Sequence, residues 1–134
     1  MEVKLEKWFR PNIDKEILKE LTKKSDLKGF MHVCTYFGFL GITGLFAYYT
    51  WGTWWSVLWF YIYGNIYCFC NPIWHETGHK TAFKTKFLNE IFYFISCFMA
   101  YFEPTRWRFT HFVHHGNTYS TKNPYDHEIE YDNN

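Results

Sequence analysis

The sequence predicts an all-α membrane protein: one transmembrane helical hairpin, followed by cytoplasmic or interfacial helices that carry histidine boxes. Three observations predict it. No Asp, Glu, Lys or Arg occurs from Gly29 to Trp74. Aromatic residues make up 25% of the chain, far above an ordinary soluble domain. Five of the seven histidines fall in two clusters with helical spacing. The mean hydropathy of -0.32 averages polar ends with an apolar middle, so it conceals the membrane signal. At 134 residues the chain is at most one domain. A formal net charge of +1 supplies no basic field for nucleic acid.

Residues 1–28 read as a cytoplasmic amphipathic segment, and 29–134 as the domain proper. In the first, Ile13, Ile17, Leu18 and Leu21 share a helical face, with Lys15, Glu16, Lys19 and Glu20 around it. Asn12 or Asp14 can cap this helix, and Ser25, Asp26 and Gly29 interrupt it. It is expected to pack on the rest of the protein as a short surface helix, with direct contact to lipid headgroups as the alternative. The start, Met1-Glu2-Val3-Lys4, lacks the early apolar core of a cleavable signal.

The uncharged run is too long for one span, because about 20 apolar residues cross the hydrocarbon core. Residues 30–49 make one span and 54–71 a second, joined by the turn Thr50-Trp51-Gly52-Thr53. Trp51, Trp54 and Trp55 suit the membrane–water boundary, where an indole keeps one edge wet. Eight Lys or Arg precede the first span and none lies in the turn. The positive-inside rule therefore places both hairpin ends in the cytoplasm. Phe87 to Phe102 is a third apolar stretch. It is short and interrupted by Asn89 and Glu90, and reads as a helix lying in the interface. Cys34, Cys68, Cys70 and Cys97 all sit in apolar runs and are expected to be buried, reduced thiols.

The chemistry is in the histidines. His75-Glu76-Thr77-Gly78-His79 follows the second span, and His111-Phe112-Val113-His114-His115 comes later. Residues four apart on a helix lie about 40° apart around its axis, so His75 and His79 share a face. His111, His114 and His115 share another, within about 100°. Pro72 and Pro104 each fit the first turn of a helix carrying one cluster. Imidazole suits iron, zinc and copper alike. His-Glu-x-x-His is also the zinc-protease motif, with Glu76 as general base. A catalytic zinc takes three protein ligands; five clustered histidines overfill one zinc and point to two metals.

Together these motifs resemble the membrane fatty acid desaturases and their hydroxylase relatives. The first box of that family is HxxxH, matched by His75 to His79, and the second is HxxHH, matched by His111 to His115. The stretch WFRPNIDKEILKELTKKSD is similar to the family's leader before the first span. The resemblance implies two non-haem irons, with His75, His79, His111, His114 and His115 as ligands and Glu76 hydrogen-bonding an imidazole N–H. It implies dioxygen as oxidant, a membrane lipid or acyl chain as substrate, and a separate electron-donor protein. Both boxes must then reach the same metals from one side of the membrane. A third box, HxxHH, follows a second hairpin in the family and does not occur in these residues. The expectation is therefore an incomplete enzyme, inactive until a missing C-terminal half supplies that box. A membrane zinc metalloprotease and a non-catalytic remnant are the alternatives. His32 is expected to be structural or interfacial, and His127 is not assigned as a ligand.

Overall fold

The computed structural model describes residues 11–116. They form six helices and no strand: α1 (Lys15–Leu21), α2 (Asp26–Tyr49), α3 (Trp54–Cys68), α4 (Cys70–Gly78), α5 (Lys86–Met99) and α6 (Pro104–Gly116). The chain divides into two units, one of Lys23–Phe102 and one of Met1–Thr22 with Glu103–Asn134. His127 and the polar tail after Asn123 lie outside the described residues.

In the Lys23–Phe102 unit, Ser25 and Asp26 do not merely break a helix. They begin one, because the Ser25 hydroxyl accepts the Lys28 N–H at 3.4 Å. Gly29 lies inside α2 rather than ending it, and close packing explains the glycine. A Cβ there would sit 2.5 Å from the Phe83 ring and 2.6 Å from the Ala82 carbonyl oxygen. The stretch Lys15–Tyr49 holds the one helix among the described residues that is long and apolar enough to cross a membrane.

The α2–α3 hairpin forms as the sequence predicts. Gly52, at φ 81°, supplies the left-handed residue of the turn, and Trp51, Trp54 and Trp55 around it are exposed. Phe46 stacks on Trp59 at 4.5 Å and Trp51 meets Phe60 edge-on at 5.6 Å. Further down the hairpin, the Tyr36 hydroxyl donates to the Tyr67 carbonyl at 3.1 Å. Residues 54–71 are not one continuous helix. α3 stops at Cys68 and α4 restarts at Cys70, with Phe69 at the joint. The 15 residues of α3 rise about 22 Å, short of the roughly 30 Å hydrocarbon core. All four cysteines are free, but only Cys70 and Cys97 are buried. Cys34 and Cys68 are exposed, because the outward surface of the hairpin is itself apolar.

α4 and α5 both end without glycine in the same left-handed cap. After α4, Lys80 takes φ 60°; its N–H reaches the Thr77 carbonyl at 2.9 Å and the Thr81 N–H reaches Glu76 at 3.0 Å. After α5, Tyr101 takes φ 58°, with Tyr101 N–H to Phe98 at 3.2 Å and Phe102 N–H to Cys97 at 2.9 Å. Between them, residues 81–85 are pinned from two directions. Asn89, buried in α5, accepts the Phe83 N–H at 3.1 Å and donates to the Phe83 and Thr85 carbonyls at 2.9 and 3.1 Å. The Asp26 carboxylate accepts the Thr85 N–H and hydroxyl, each at 2.8 Å. Phe83 is fully buried, edge-on to Phe30 and stacked on Phe92, both at 5.2 Å. At 14 residues, α5 is about 21 Å long, close to the length of α3.

In the other unit, Asp14 caps α1 by accepting the Glu16 and Ile17 N–H groups at 2.8 and 3.2 Å. No α1 residue is buried. The Ile17, Leu18 and Leu21 stripe is exposed. α6 opens with Pro104, as the sequence predicts. The Glu103 carboxylate accepts the Thr105 N–H at 3.0 Å and also the Arg106 N–H.

Candidate metal centre

The first box rides on α4. The hydroxyl of Thr77, fully buried, donates to the Ile73 carbonyl at 2.5 Å and ties the helix from within. His75 and His79 are on the more open side, half-buried and exposed respectively. Their ring centroids lie 4.9 Å apart. His79 is the last residue in helical conformation, at φ -75° and ψ -6°, and Lys80 turns the chain away directly after it. The cap that ends α4 thus also fixes where the second histidine of the box stands.

The second box rides on α6. His111 is buried at 4% exposure, an unusual place for an imidazole without a polar partner. Its Nε2 lies 2.9 Å from the His115 Nε2. Trp107, one turn earlier and also buried, stacks flat on the His111 ring at 4.2 Å and 19°. His114 lies somewhat apart, its ring centroid 5.9 Å from His111 and 5.7 Å from His115.

Within each box, one pair therefore has its ring nitrogens within 4.8 Å of each other: His75 with His79, and His111 with His115. The 2.9 Å between the His111 and His115 nitrogens lets both imidazoles share one ion, whose metal–nitrogen bonds run about 2.0–2.1 Å. Each pair can offer nitrogens to a metal; His114 stands farther from both His111 and His115.

Glu76 is placed differently from the sequence expectation. Its carboxylate lies 3.7 Å from Nδ1 of His32 on α2, longer than a hydrogen bond. The imidazole it faces belongs to His32 and not to either box. Around them is a pocket of about 180 Å³ lined by Lys28, His32, Glu76, Thr77 and Thr81 among others. Trp107 was passed over in the sequence, although its i, i+4 spacing to His111 is legible there. Asn89 was read only as an interruption of an apolar run.

Glu103 lies at the start of the helix that carries the second box. The N–H groups of Arg106, first, and of Thr105 hold its carboxyl below the usual range, as expected for a carboxylate capping a helix N-terminus.

No curated protein and no solved structure is detectably similar to this chain. The sequence profile of the family described as fatty acid desaturase matches residues 49–133, a segment that contains both boxes. The chain belongs to the fatty acid desaturase family.

Proposed function

We propose that the protein is a membrane oxidoreductase that uses dioxygen and two histidine-bound irons to desaturate or hydroxylate a lipid acyl chain. The observation that carries this reading is the close approach of ring nitrogens within each box of a family member. That family is membrane-bound and typically di-iron. Removing hydrogen from an unactivated C–H bond needs an oxidant that no side chain supplies, and iron with dioxygen supplies it.

The chain's own residues do the positioning. His75 and His79 offer one nitrogen pair, and His111 and His115 another. His114, set apart on the same helix, serves the second ion. Trp107 holds the His111 ring plane, which limits the directions from which that nitrogen can be used. The hairpin ends and both boxes face the cytoplasm, where a soluble electron donor reaches them. Arg106 and Arg108 beside the second box offer that donor a basic contact.

Five histidines are few for two irons with several nitrogen ligands each. The ligand set is completed by an HxxHH segment that these 134 residues do not contain. The test is expression in a desaturase-deficient host, alone and together with a polypeptide bearing that segment, with lipids read by mass spectrometry. New double bonds or hydroxyl groups are expected only in the second case, and are expected to vanish with His111→Ala. A modified lipid formed by the chain alone and abolished by His114→Ala would overturn the incomplete-site reading. No oxidised lipid under any pairing, with peptide hydrolysis dependent on Glu76 instead, would overturn the oxygenase.

A further inference from the structure

α5 is built inside out. Its buried residues are Asn89, Tyr93, Ser96 and Cys97, mostly small or polar. Its exposed residues include Phe87, Ile91, Phe94, Ile95 and Phe98, of which Phe87 and Phe98 are 70% and 81% exposed. At about 100° per residue, these five fall within an arc of about 100°, opposite the buried four. A helix facing water carries its large apolar groups inward; this one carries them outward.

Two further observations say what covers that face. The first is depth. Phe92 of α5 meets Phe30 at 6.3 Å and Phe37 at 6.5 Å, so α5 lies beside the first turns of the apolar stretch of α2. The second is charge. The contact of Asp26 with Thr85 brings the start of α2 to the start of α5. Exposed Lys23, Lys24 and Lys28 lead into the one, and exposed Lys84 and Lys86 into the other. Asp26 bonds Thr85 and keeps its charge beside Lys84, Glu90 pairs with Lys80 at 3.1 Å, and Lys24 donates to the Lys80 carbonyl at 2.7 Å, so the five lysines remain in excess over the one carboxylate among them.

We infer that the Phe87–Ile91–Phe94–Ile95–Phe98 face of α5 lies in the headgroup–acyl boundary of the membrane, and that the lysine band at its start contacts anionic lipid headgroups. Apolar side chains of this kind sink about 5–10 Å into that boundary, and basic residues beside them are drawn to anionic lipid. α4 packs on α5 within one unit, so the surface that seats α5 also sets the level of the first histidine box. The inference does not depend on which metal the boxes hold, and it stands or falls apart from the oxidation chemistry.

The test uses the whole 134-residue chain in phosphatidylcholine vesicles containing an equimolar pair of photoactivatable probes. One probe is a phosphatidylcholine and the other a phosphatidylglycerol, each with the same reactive group near the top of the acyl chain. Peptide mapping by mass spectrometry should find adducts on Phe87, Phe94 and Phe98 and none on Tyr93 or Ser96. The anionic probe should predominate several-fold. Lys84→Gln with Lys86→Gln should bring the two probes level while circular dichroism shows the same helix content. Absence of adducts on the outward face, whether it is wet or covered by protein, would overturn the inference. Equal labelling by the two probes in the unaltered chain would overturn the anionic contact.

Discussion

Single side chains decide how the two boxes present their nitrogens. Trp107 and His111 are both buried and stacked, so the indole does for His111 what hydrogen bonds do for other ligating imidazoles: it fixes a plane. Changing Trp107 to Leu keeps an apolar side chain but removes the flat partner. Affinity for cobalt(II), used as a spectroscopic probe, is expected to fall about tenfold, the lower end for groups that orient ligating histidines. An unchanged cobalt spectrum and affinity would show that His111 is held by other means. At Gly29 the question is space. Gly29→Ala drives a methyl group against Phe83 and the Ala82 carbonyl, and should cost about 1–3 kcal/mol, as overpacking does. Tyr101 is the converse case. Its side chain is 91% exposed while its backbone is left-handed, so Tyr101→Gly should stabilise by up to about 1 kcal/mol. Both changes are read as shifts in the thermal midpoint of the detergent-solubilised chain.

At the scale of elements, the helices were largely legible in the sequence because helix signals are local. The turn at Gly52, the caps at Asp14 and Pro104, and the shortness of α5 follow from residue type and spacing. The break at Phe69 was not legible. Residues 54–71 are uniformly apolar, and hydropathy carries no information about a joint within such a run. The left-handed caps at Lys80 and Tyr101 were also hidden, since neither is the glycine or asparagine that announces them. The histidine-bearing faces were legible from the i, i+4 spacing. The partners that pin residues 81–85 were not, because Asp26 reaches Thr85 from far away in sequence and Asn89 reaches back to Phe83 across a helix end. For α6, the Glu103 cap gives a pH-dependent prediction. Its folded pKa is lowered, so its stabilising contribution is fully present above the ordinary glutamate value of about 4.3. It is lost as pH falls through the lowered folded value. The amide proton shifts of Thr105 and Arg106 should titrate in that acid range, and Glu103→Gln should abolish the titration.

For the whole molecule, the proposed function rests on histidines carried by two short helices, in a chain whose α2–α3 hairpin exposes large apolar side chains. The most direct measurement is of bound metal. The 134-residue chain is analysed for zinc as purified, then reconstituted in vesicles, loaded anaerobically with ferrous iron alone, washed and analysed for iron by mass spectrometry. The account predicts retained iron that falls to background on His75→Ala, His79→Ala, His111→Ala or His115→Ala and persists with Glu76→Gln. Stoichiometric zinc with no iron, insensitive to His111→Ala and His115→Ala, would contradict it.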